Sequence, residues 1–359
     1  MCMDFSLIHS VSIDSSSTHP LRILTLGDGN LSFSHLLLQS FVTPRKKRLS
    51  TKRHILHNRS VAIVCSVYDN QTTQNIKYHN SHHYEHNILL YGGVVGYNID
   101  GTDIQRTLCA EFANGDILDR TINIQLQQSG TEQHKIKLIN NLQQQYNHII
   151  YNNQYEFDVI IFNHPHSGSE DVIRHQQLLA HFLYSAKQLL PHDTNTIYVC
   201  VTLCNNQPHT WLLDRSIELH GYKIERYYTF DARSMPQWEQ KRHHTAKQFT
   251  NKVNSEMNSN TSEVQHCYWL KFSLDPNCQS SKTHNTLSVN SLYCDICDTL
   301  FASVAELSNH WSALQPNQYT PQQYQCTICG KQYADQRSYQ QHIQYAQHKN
   351  NVTTVFNQI

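Results

Sequence analysis

LRILTLGDGNLSFS (residues 21–34) joins an apolar run to a glycine-containing turn and then to a helical pattern. The apolar run predicts a buried strand, and residues 33–39 predict a helix. Gly27 and Gly29 allow a sharp turn and a close approach of the backbone to a ligand. The free N–H groups at the start of the helix face the same space. This stretch therefore predicts the first strand, turn and helix of an α/β sheet, with a ligand beside the turn.

Further apolar runs alternate with helical patterns as far as residue 272. Buried strands are predicted at 61–67, 94–95, 157–162, 196–202, 223–230 and 264–272. Helices are predicted through 87–90 and over 171–190 and 209–220. Strands that alternate with helices indicate a parallel α/β sheet with helices on both faces. In such sheets the ligand lies beyond the carboxyl ends of the strands.

Composition divides the chain of 359 residues into a large domain and two small modules. Only 39% of the residues are hydrophobic, and the polar residues are concentrated in inserts and linkers. We expect an α/β domain over 21–273 and small modules at 292–315 and 324–348. The polar segments are a flexible tail at 1–20, a basic insert at 44–54, a Gln/Asn-rich insert at 113–155 with one helix over 137–146, a loop at 251–262 and a linker at 274–291.

Charge and cysteine content limit the cellular compartment and the partners to be expected for this chain. The formal net charge is zero, so any basic surface must be local. The N-terminus lacks the pattern of a signal peptide and no stretch reaches roughly 18 apolar residues, so we expect no membrane partner and a reducing compartment. There the 11 cysteines are more often metal ligands than disulfides. The insert at 44–54, PRKKRLSTKRH, is predicted to be a surface that binds nucleic acid, a nuclear localisation signal or a solvated loop.

Three carboxylates are predicted at the carboxyl ends of the first three strands. Asp28 lies in the glycine turn, where its charge disfavours a phosphate and suits a cation such as the sulfonium of S-adenosylmethionine; the alternative is a surface residue of a turn. Asp69, next to Tyr68, can accept hydrogen bonds from ribose hydroxyls or cap a helix. Asp100 can reach an adenine amino group or belong to an Asp-Gly turn. The three together indicate a cofactor site more strongly than any one of them.

The fourth predicted strand runs into Asn163-His-Pro-His166, a short polar motif. Its proline stiffens the backbone, so that the Asn163 amide and nearby carbonyl groups can grip a substrate nitrogen. The alternative is a capped turn with two solvent-exposed histidines. Histidine is the usual general base near neutral pH; His166 is the first candidate, His164 the second and Asp231 a more distant one.

Several of these motifs together resemble the eukaryotic 25S rRNA uridine-N3 methyltransferase-like family. The resemblance covers about residues 21–250, and its main carriers are LGDGNLSFS at 26–34, Tyr68-Asp69, YNIDGTD at 97–103 and FDVIIFNHPHSG at 157–168. It continues through RHQQLL at 174–179, Phe182, PHTW at 208–211 and FDA at 230–232. It implies a Rossmann-like fold, S-adenosylmethionine as the methyl donor, and methylation of uracil N3 in ribosomal RNA.

The resemblance also implies roles for individual residues. The methionine end of the cofactor would be lined by Gly27, Asp28, Gly29, Asn30 and Phe33. Tyr68 and Asp69 would hold the ribose, and Asp100 the adenine side. The reacting methyl would be bordered by Asn163, His164 and His166. The implied partner is ribosomal RNA or a pre-ribosome, in the nucleus and there in the nucleolus, otherwise in the cytoplasm.

The sequence departs from the family pattern on the side expected to meet the substrate. The family usually has an aromatic residue where His164 stands, and Met235-Pro-Gln-Trp238 replaces a Tyr-Pro-Gly-Tyr-like stretch that leads to Arg-Thr. The later match is only His244-Thr245. Two alternatives therefore stay open: a catalytically silent methyltransferase fold that serves as an RNA- or protein-binding scaffold, and an enzyme that acts on transfer RNA.

The module at 324–348 has the spacing of a zinc finger. Its predicted ligands are Cys326, Cys329, His342 and His348. Tyr333 and Tyr339 occupy the apolar core positions between the two pairs. A hairpin brings the cysteines together, and one helix face carries both histidines. The five-residue gap between the histidines resembles that of U1-like C2H2 fingers, which are associated with RNA.

The module at 292–315 has the same frame but lacks a fourth zinc ligand. Cys294, Cys297 and His310 are spaced as in a zinc finger, with Phe301 and Leu307 in the core positions. Gln315 or solvent stands where a second histidine is expected. Either this finger is degenerate, or Cys278 or His284 completes it.

Overall fold

The computed structural model describes most of the large domain and parts of the two C-terminal modules. In the large domain it describes residues 19–42, 60–113, 116–127, 131–151, 154–168, 171–191, 198–230, 237–239 and 265–272. In the modules it describes 293–294, 296–301, 303, 305–307, 309–310, 324–325 and 332–333. The tail as far as residue 18, the basic insert, the loop at 251–262 and the linker lie outside the described residues.

Seven strands form one mixed sheet at the centre of the large domain. They are β1 (Leu21–Leu26), β2 (Val61–Ser66), β3 (Val94–Gly96), β6 (Val159–Asn163), β7 (Tyr198–Cys204), β8 (Tyr222–Phe230) and β9 (Gln265–Phe272). A short hairpin, β4 (Ile150–Tyr151) with β5 (Gln154–Tyr155), stands apart from the sheet. The predicted strands are therefore confirmed, with ends that differ by a few residues, as strand ends commonly do.

The order of the strands is β3-β2-β1-β6-β7-β9-β8. The pairs from β3 to β7 are parallel, whereas β9 runs antiparallel to both β7 and β8. The chain builds outward from β1 to β3, and then returns to the other side of β1 with β6. Such a reversal opens a crevice at the carboxyl ends of β1 and β6, where doubly wound sheets bind their ligands.

Helices cover both faces of the sheet, which confirms the predicted fold class. Alternate residues of β1 enter two separate cores: Leu24 and Leu26 pack on one face, and Leu21 and Ile23 on the other. All four side chains are at most 2% exposed. A strand buried on both faces is apolar along its whole length, which explains the continuous apolar runs in the sequence.

Nine helices lie within the described residues of the large domain. On the N-terminal side they are α1 (Ser32–Val42), α2 (Gln71–Lys77), α3 (Ser81–Leu90) and α4 (Ile104–Ala113). The others are α5 (Asp116–Leu126), α6 (Glu132–Asn147), α7 (Val172–Lys187), α8 (Gln207–Thr210) and α9 (Leu213–Leu219). None of these helices is both long and apolar enough to cross a membrane.

The structure of the segment 113–155 differs from the predicted insert with one helix. It contains two helices, α5 and α6, and both pack against the sheet. The Tyr146 hydroxyl is buried 3.0 Å from the carbonyl oxygen of Ile63 and 2.8 Å from that of Gly92. The Thr121 hydroxyl donates to the carbonyl of Gly93 at 2.9 Å. A few buried groups thus attach to the sheet a segment whose Gln/Asn content suggested an insert with one helix.

The helix predicted over 209–220 is also corrected, because it is broken. α8 ends at Thr210 and α9 begins at Leu213, and between them Leu212 has a left-handed backbone with φ 51°. The break allows Trp211 and Leu213 to be buried together in the same core. The free energy gained by burying two large side chains exceeds the cost of one left-handed backbone conformation, which is about 1–2 kcal/mol.

The described parts of the C-terminal modules include two antiparallel hairpins, and residues 305–307 and 309–310 of the first module are helical. β10 (Tyr293–Cys294) pairs with β11 (Thr299–Leu300), and β12 (Tyr324–Gln325) pairs with β13 (Gln332–Tyr333). Each hairpin spans one of the predicted cysteine pairs. In the second module the predicted ligands Cys326, Cys329, His342 and His348 lie outside the described residues.

Candidate active site

The turn after β1 can be made only by glycine at its first position. Gly27 and Gly29 have left-handed backbones, with φ 60° and 49°. A Cβ on Gly27 would lie 2.7 Å from Cε2 of Phe162, and a Cβ on Gly101 would lie 2.9 Å from Cε1 of the same ring. The Phe162 ring, at the end of β6, thus lies between the turn after β1 and the loop after β3. Both loops need glycine because they approach this ring closely.

Asp28 is buried in the turn and caps helix α1. Its carboxylate accepts the backbone N–H of Phe33 at 3.3 Å and that of Ser34 at 2.6 Å. Burial raises the pKa of this carboxyl to about 7, and the hydrogen bonds from Ser34 and Phe33 oppose the rise. A group that titrates near neutral pH at the mouth of a ligand crevice is unusual, and such groups cluster at functional sites.

Asp69 follows β2 and is held by an ion pair. Lys77 Nζ lies 2.8 Å from one carboxylate oxygen and 2.9 Å from the other. An ionised carboxylate has about four acceptor positions, so the lysine leaves room for further donors. The neighbouring Tyr68 side chain is 49% exposed. The end of β2 therefore combines a fixed carboxylate with an accessible aromatic ring.

Asp100 follows β3 and closes a local turn. Its Oδ1 accepts both the backbone N–H and the hydroxyl of Thr102, each at 2.8 Å. Burial raises its pKa, and the hydrogen bonds from Thr102 lower it. The Asp-Gly turn that was the predicted alternative is therefore present. It holds the Asp100 carboxylate after β3, at the same edge of the sheet as Asp28 and Asp69.

Asn163 and His164 stand where β6 ends; Asn163 is buried, and His164 is half-buried with its Nε2 atom inside the protein. The Asn163 amide oxygen accepts the hydroxyl of Thr202 at 2.9 Å, which fixes the orientation of the amide. His164 has a left-handed backbone with φ 52°, and its N–H donates to the carbonyl of Thr202 at 2.9 Å. Burial lowers the pKa of His164 to about 4, and a hydrogen bond with Gln265 opposes the shift. His164 is therefore a neutral imidazole at physiological pH.

His166 lies in a cluster with Ser167 and His175. Its Nδ1 accepts the backbone N–H of Gly168 at 3.0 Å, and its ring meets the His175 ring edge-on at 4.6 Å. His175 in turn stacks flat on Trp211, with ring centres 4.0 Å apart. The Ser167 hydroxyl is 3.4 Å from Nε2 of His175. Both histidines of the motif, His164 and His166, are half-buried.

Sequence reasoning missed a short segment that closes the crevice, Gln237–Glu239. The Trp238 ring packs on Phe33 at 5.2 Å and stacks on His164 at 5.8 Å. Glu239 accepts the hydroxyl of Tyr84 at 2.8 Å and the amide of Asn30 at 3.3 Å. The segment coincides with the departure from the family pattern at 235–238, which was the available signal. Asp231 and His244-Thr245 lie outside the described residues.

Comparison with known proteins identifies the large domain. Residues 24–242 match the family described as rRNA (uridine-N3-)-methyltransferase BTM5-like. The chain belongs to this family of methyltransferases. The family match covers β1 to β8 and contains every candidate cofactor-binding and catalytic residue named above.

The C-terminal modules of this methyltransferase match zinc-finger families. Residues 324–348 match the C2H2-type zinc finger, and residues 292–312 match a second zinc finger of C2H2 type. No curated protein matches the chain. Among solved structures, one assigned as a sarcosine dimethylglycine methyltransferase from Galdieria sulphuraria is 13% identical, with a TM-score of 0.29. That match covers 76% of this chain and 85% of the other.

The residues present fit the methyl donor that the family implies, S-adenosylmethionine. Side chains are excluded at Gly27 and Gly101 by the Phe162 ring, so the backbone lines the crevice there. Carboxylates stand at three neighbouring strand ends, and they suit a ligand with a positive charge, two ribose hydroxyls and an amino group. The donor set is thus complementary to the chemistry of this cofactor.

Proposed function

We propose that this chain transfers a methyl group from S-adenosylmethionine to N3 of a uridine in large-subunit ribosomal RNA. The observation that carries the proposal is the family match over 24–242. It is supported by the convergence of the glycine turn, the carboxylates and the NHPH motif on one edge of the sheet. When bound, the donor supplies an electrophilic methyl group, and alignment with the nucleophile provides much of the catalysis.

On this proposal, the donor is held by the ends of β1, β2 and β3. The turn Gly27–Asn30 and Phe33 line its methionine end, and the charge of Asp28 favours the cationic donor over its neutral product. Asp69, beside Tyr68, accepts the ribose hydroxyls through the positions that Lys77 leaves open. Asp100 faces the adenine side.

The end of β6 suits a uracil ring as the acceptor. Uracil N3 lies between two carbonyl oxygens, so a fixed N–H donor beside it recognises and orients the base. Because the Asn163 amide oxygen is held by the Thr202 hydroxyl, its NH2 group is the part that remains for a substrate. His164 acts as a positioning residue, since it is neutral and packed between Trp238 and Cys204.

His166 is the proposed base that removes the N3 proton. The hydrogen bond from Gly168 N–H to Nδ1 places the proton of the neutral ring on Nε2. His166 can therefore accept a proton only at Nδ1, after the Gly168 hydrogen bond opens. Substrate binding must shift the loop 163–168 or rotate the ring, and loops or junctions of RNA are favoured substrates because an exposed base costs less to present.

The experiment is methyl transfer with labelled donor to deproteinised ribosomal RNA, followed by mass mapping of the modified nucleoside. We expect 3-methyluridine in ribosomal RNA, and none in transfer RNA. Label in transfer RNA instead would change the substrate, and a folded chain that binds the donor without transfer would indicate a silent scaffold.

His166→Ala tests the catalytic proposal within the same assay. The variant should keep the affinity for the donor and lose turnover by roughly 10²–10⁴-fold, the usual contribution of a general base. The matched control is His209→Ala, because His209 is an exposed histidine on the neighbouring helix α8. Turnover that stays unchanged in His166→Ala would reject His166 as the base.

The proposed substrate also suggests a place of action. Ribosomal RNA is made and modified in the nucleolus, so we propose that the chain acts there on ribosomal RNA or a pre-ribosome. The cluster of lysines and arginines at 44–54 would direct nuclear import or contact RNA phosphates.

A further inference from the structure

Four metal-binding side chains meet where the first C-terminal module contacts the methyltransferase domain. They are Cys294, Cys297 and His310 from the module and His181 from helix α7. One donor atom from each lies within 4.8 Å of all the others. Cys294 Sγ is 3.6 Å from His181 Nε2, and Cys297 Sγ is 3.6 Å from His310 Nε2. Ligands bound at about 2.0–2.3 Å around a tetrahedral zinc lie roughly 3.3–3.8 Å apart, so the observed spacing suits this metal.

We propose that His181 is the fourth zinc ligand of the first finger, so that one zinc ion joins the finger to the methyltransferase domain. The frame Cys294, Cys297 and His310 lacks a fourth ligand within its own module, and the histidine comes instead from 113 residues earlier in the chain. The ligands considered from the sequence, Cys278, His284 and Gln315, lie outside the described residues.

The chemistry of the cluster favours zinc. Two thiolates and two neutral imidazoles form a site of zero net charge around a divalent ion, and such a site can be buried without a large solvation penalty. His181 is only 2% exposed, and Cys294 and His310 are buried with it. A buried imidazole needs a partner for its polar nitrogen, and coordination supplies one.

The packing around the cluster holds the finger in one orientation on the domain. Ala180, beside His181 in α7, forms a small apolar core with Cys294 and Cys297 of the finger, and the finger side chains Ile296, Phe301 and Leu307 pack against it. At the rim, Arg215 of α9 forms an ion pair with Asp298 at 2.5 Å. The metal is therefore the centre of an interface that also has an apolar core and an ionic contact.

The position of His181 links the zinc site to the candidate active site. His175, which contacts His166, lies six residues earlier on the same helix, roughly 9 Å along its axis. A zinc ion bound to α7 would restrain the helix that begins beside the NHPH motif. The finger would thus have a fixed position relative to the crevice, which a finger on a free linker would lack. The ligand assignment itself does not depend on the proposed methyl transfer.

The test measures metal directly, in the full-length chain with Cys326→Ser and Cys329→Ser to remove the second predicted site. Purified protein should contain one zinc per chain by elemental analysis. His181→Ala should weaken zinc affinity, measured by competition with a chromophoric chelator, by at least tenfold, because even second-shell changes at zinc sites cost 10–100-fold. The matched control is His35→Ala, because His35 is a half-buried histidine on α1 outside the metal cluster, and this variant should keep the zinc.

Cobalt replacement separates loss of a ligand from loss of the fold. With Co²⁺, the parent should show the intense visible bands of a tetrahedral site, and His181→Ala should lose them or shift toward higher coordination. His181→Cys should restore tetrahedral binding with stronger thiolate-to-cobalt absorption, because a third sulfur joins the site. Unchanged zinc affinity and an unchanged cobalt spectrum in His181→Ala would overturn the proposal. The same holds if His181→Cys, folded by circular dichroism, adds no thiolate band.

Discussion

Replacement of Asp28 by asparagine should make the stability of this chain less dependent on pH. Asp28 caps α1 from a buried position, and burial raises its pKa from 3.8 to about 7. Because the folded-state pKa lies above the unfolded value, the folded state binds an extra proton between these two pH values. The folding free energy that this proton contributes is fully present below pH 4 and is lost as the pH rises through 7.

The size of the effect follows from that difference in pKa. At about 1.4 kcal/mol per pH unit, a rise from 3.8 to about 7 corresponds to about 4 kcal/mol of folding free energy. The Asp28→Asn variant has no such dependence, since an amide does not titrate in this range. An amide offers one acceptor oxygen where the carboxylate offers two, so the variant also loses one of the two hydrogen bonds to α1, which costs about 1 kcal/mol at every pH. At pH 8 the variant should therefore be more stable than the parent by about 3 kcal/mol.

The assay is urea denaturation of parent and Asp28→Asn at several pH values between 4.5 and 8. The free energy of unfolding of each zinc-containing chain depends on pH for other reasons, and these cancel in the difference between the two proteins. The matched control is Asp171→Asn, because Asp171 also accepts two backbone N–H groups at the start of its helix, α7, but is exposed. Both of these hydrogen bonds end on one oxygen, which an amide keeps, and there is no burial penalty to relieve, so this control should not gain stability at pH 8.

If the unfolding free energies of parent and Asp28→Asn differ by an amount that stays constant to about 0.5 kcal/mol over this range, the pKa of Asp28 is not raised by burial. The same variant should bind S-adenosylmethionine more weakly, because it lacks the negative charge proposed to face the cationic donor. A variant that gains stability and loses donor affinity would show that the buried charge is kept for function, a trade-off that active sites commonly make.

Two further predictions concern the walls of the crevice. Gly101→Ala places a Cβ against the Phe162 ring and should cost about 1–3 kcal/mol of stability, and Phe162→Leu in the same chain should remove most of that cost. Chemical denaturation of the single and double variants measures this, and equal costs in both backgrounds would show that the ring is not the obstacle. Trp238→Ala should raise the pKa of His164 from about 4 toward the ordinary range, since the indole helps to bury that imidazole. Histidine titration by NMR, with the His164 signal assigned through His164→Gln, measures the shift; an unchanged pKa would mean that other groups bury the ring.

Local patterns explain why so much of the large domain could be predicted. The apolar runs and the turn Gly27–Gly29 depend on neighbouring residues, and those parts of the fold agree with the structure. The prediction of an insert with one helix at 113–155 was wrong because α5 and α6 are polar in composition, and only a few groups such as Tyr146 attach them to the sheet. Composition averages over a whole segment, whereas packing depends on a few positions at the correct spacing.

The candidate site shows the same limit. Asp28, Asp69 and Asp100 could be selected from the sequence because each follows a strand directly. Trp238 could not, because its contacts with Phe33 and His164 depend on how the chain returns to the crevice after β8.

Most of the strands and helices, the family and the cysteine and histidine spacing of both fingers can be read from the chain alone, since they follow from periodicity and from the order of residues. Three features come from the folded chain instead: which strands are neighbours, the burial of Asp28, and the approach of His181 to Cys294, Cys297 and His310. Burial and coordination depend on distance in space. The order of residues along a chain does not fix that distance once more than one helix or strand intervenes.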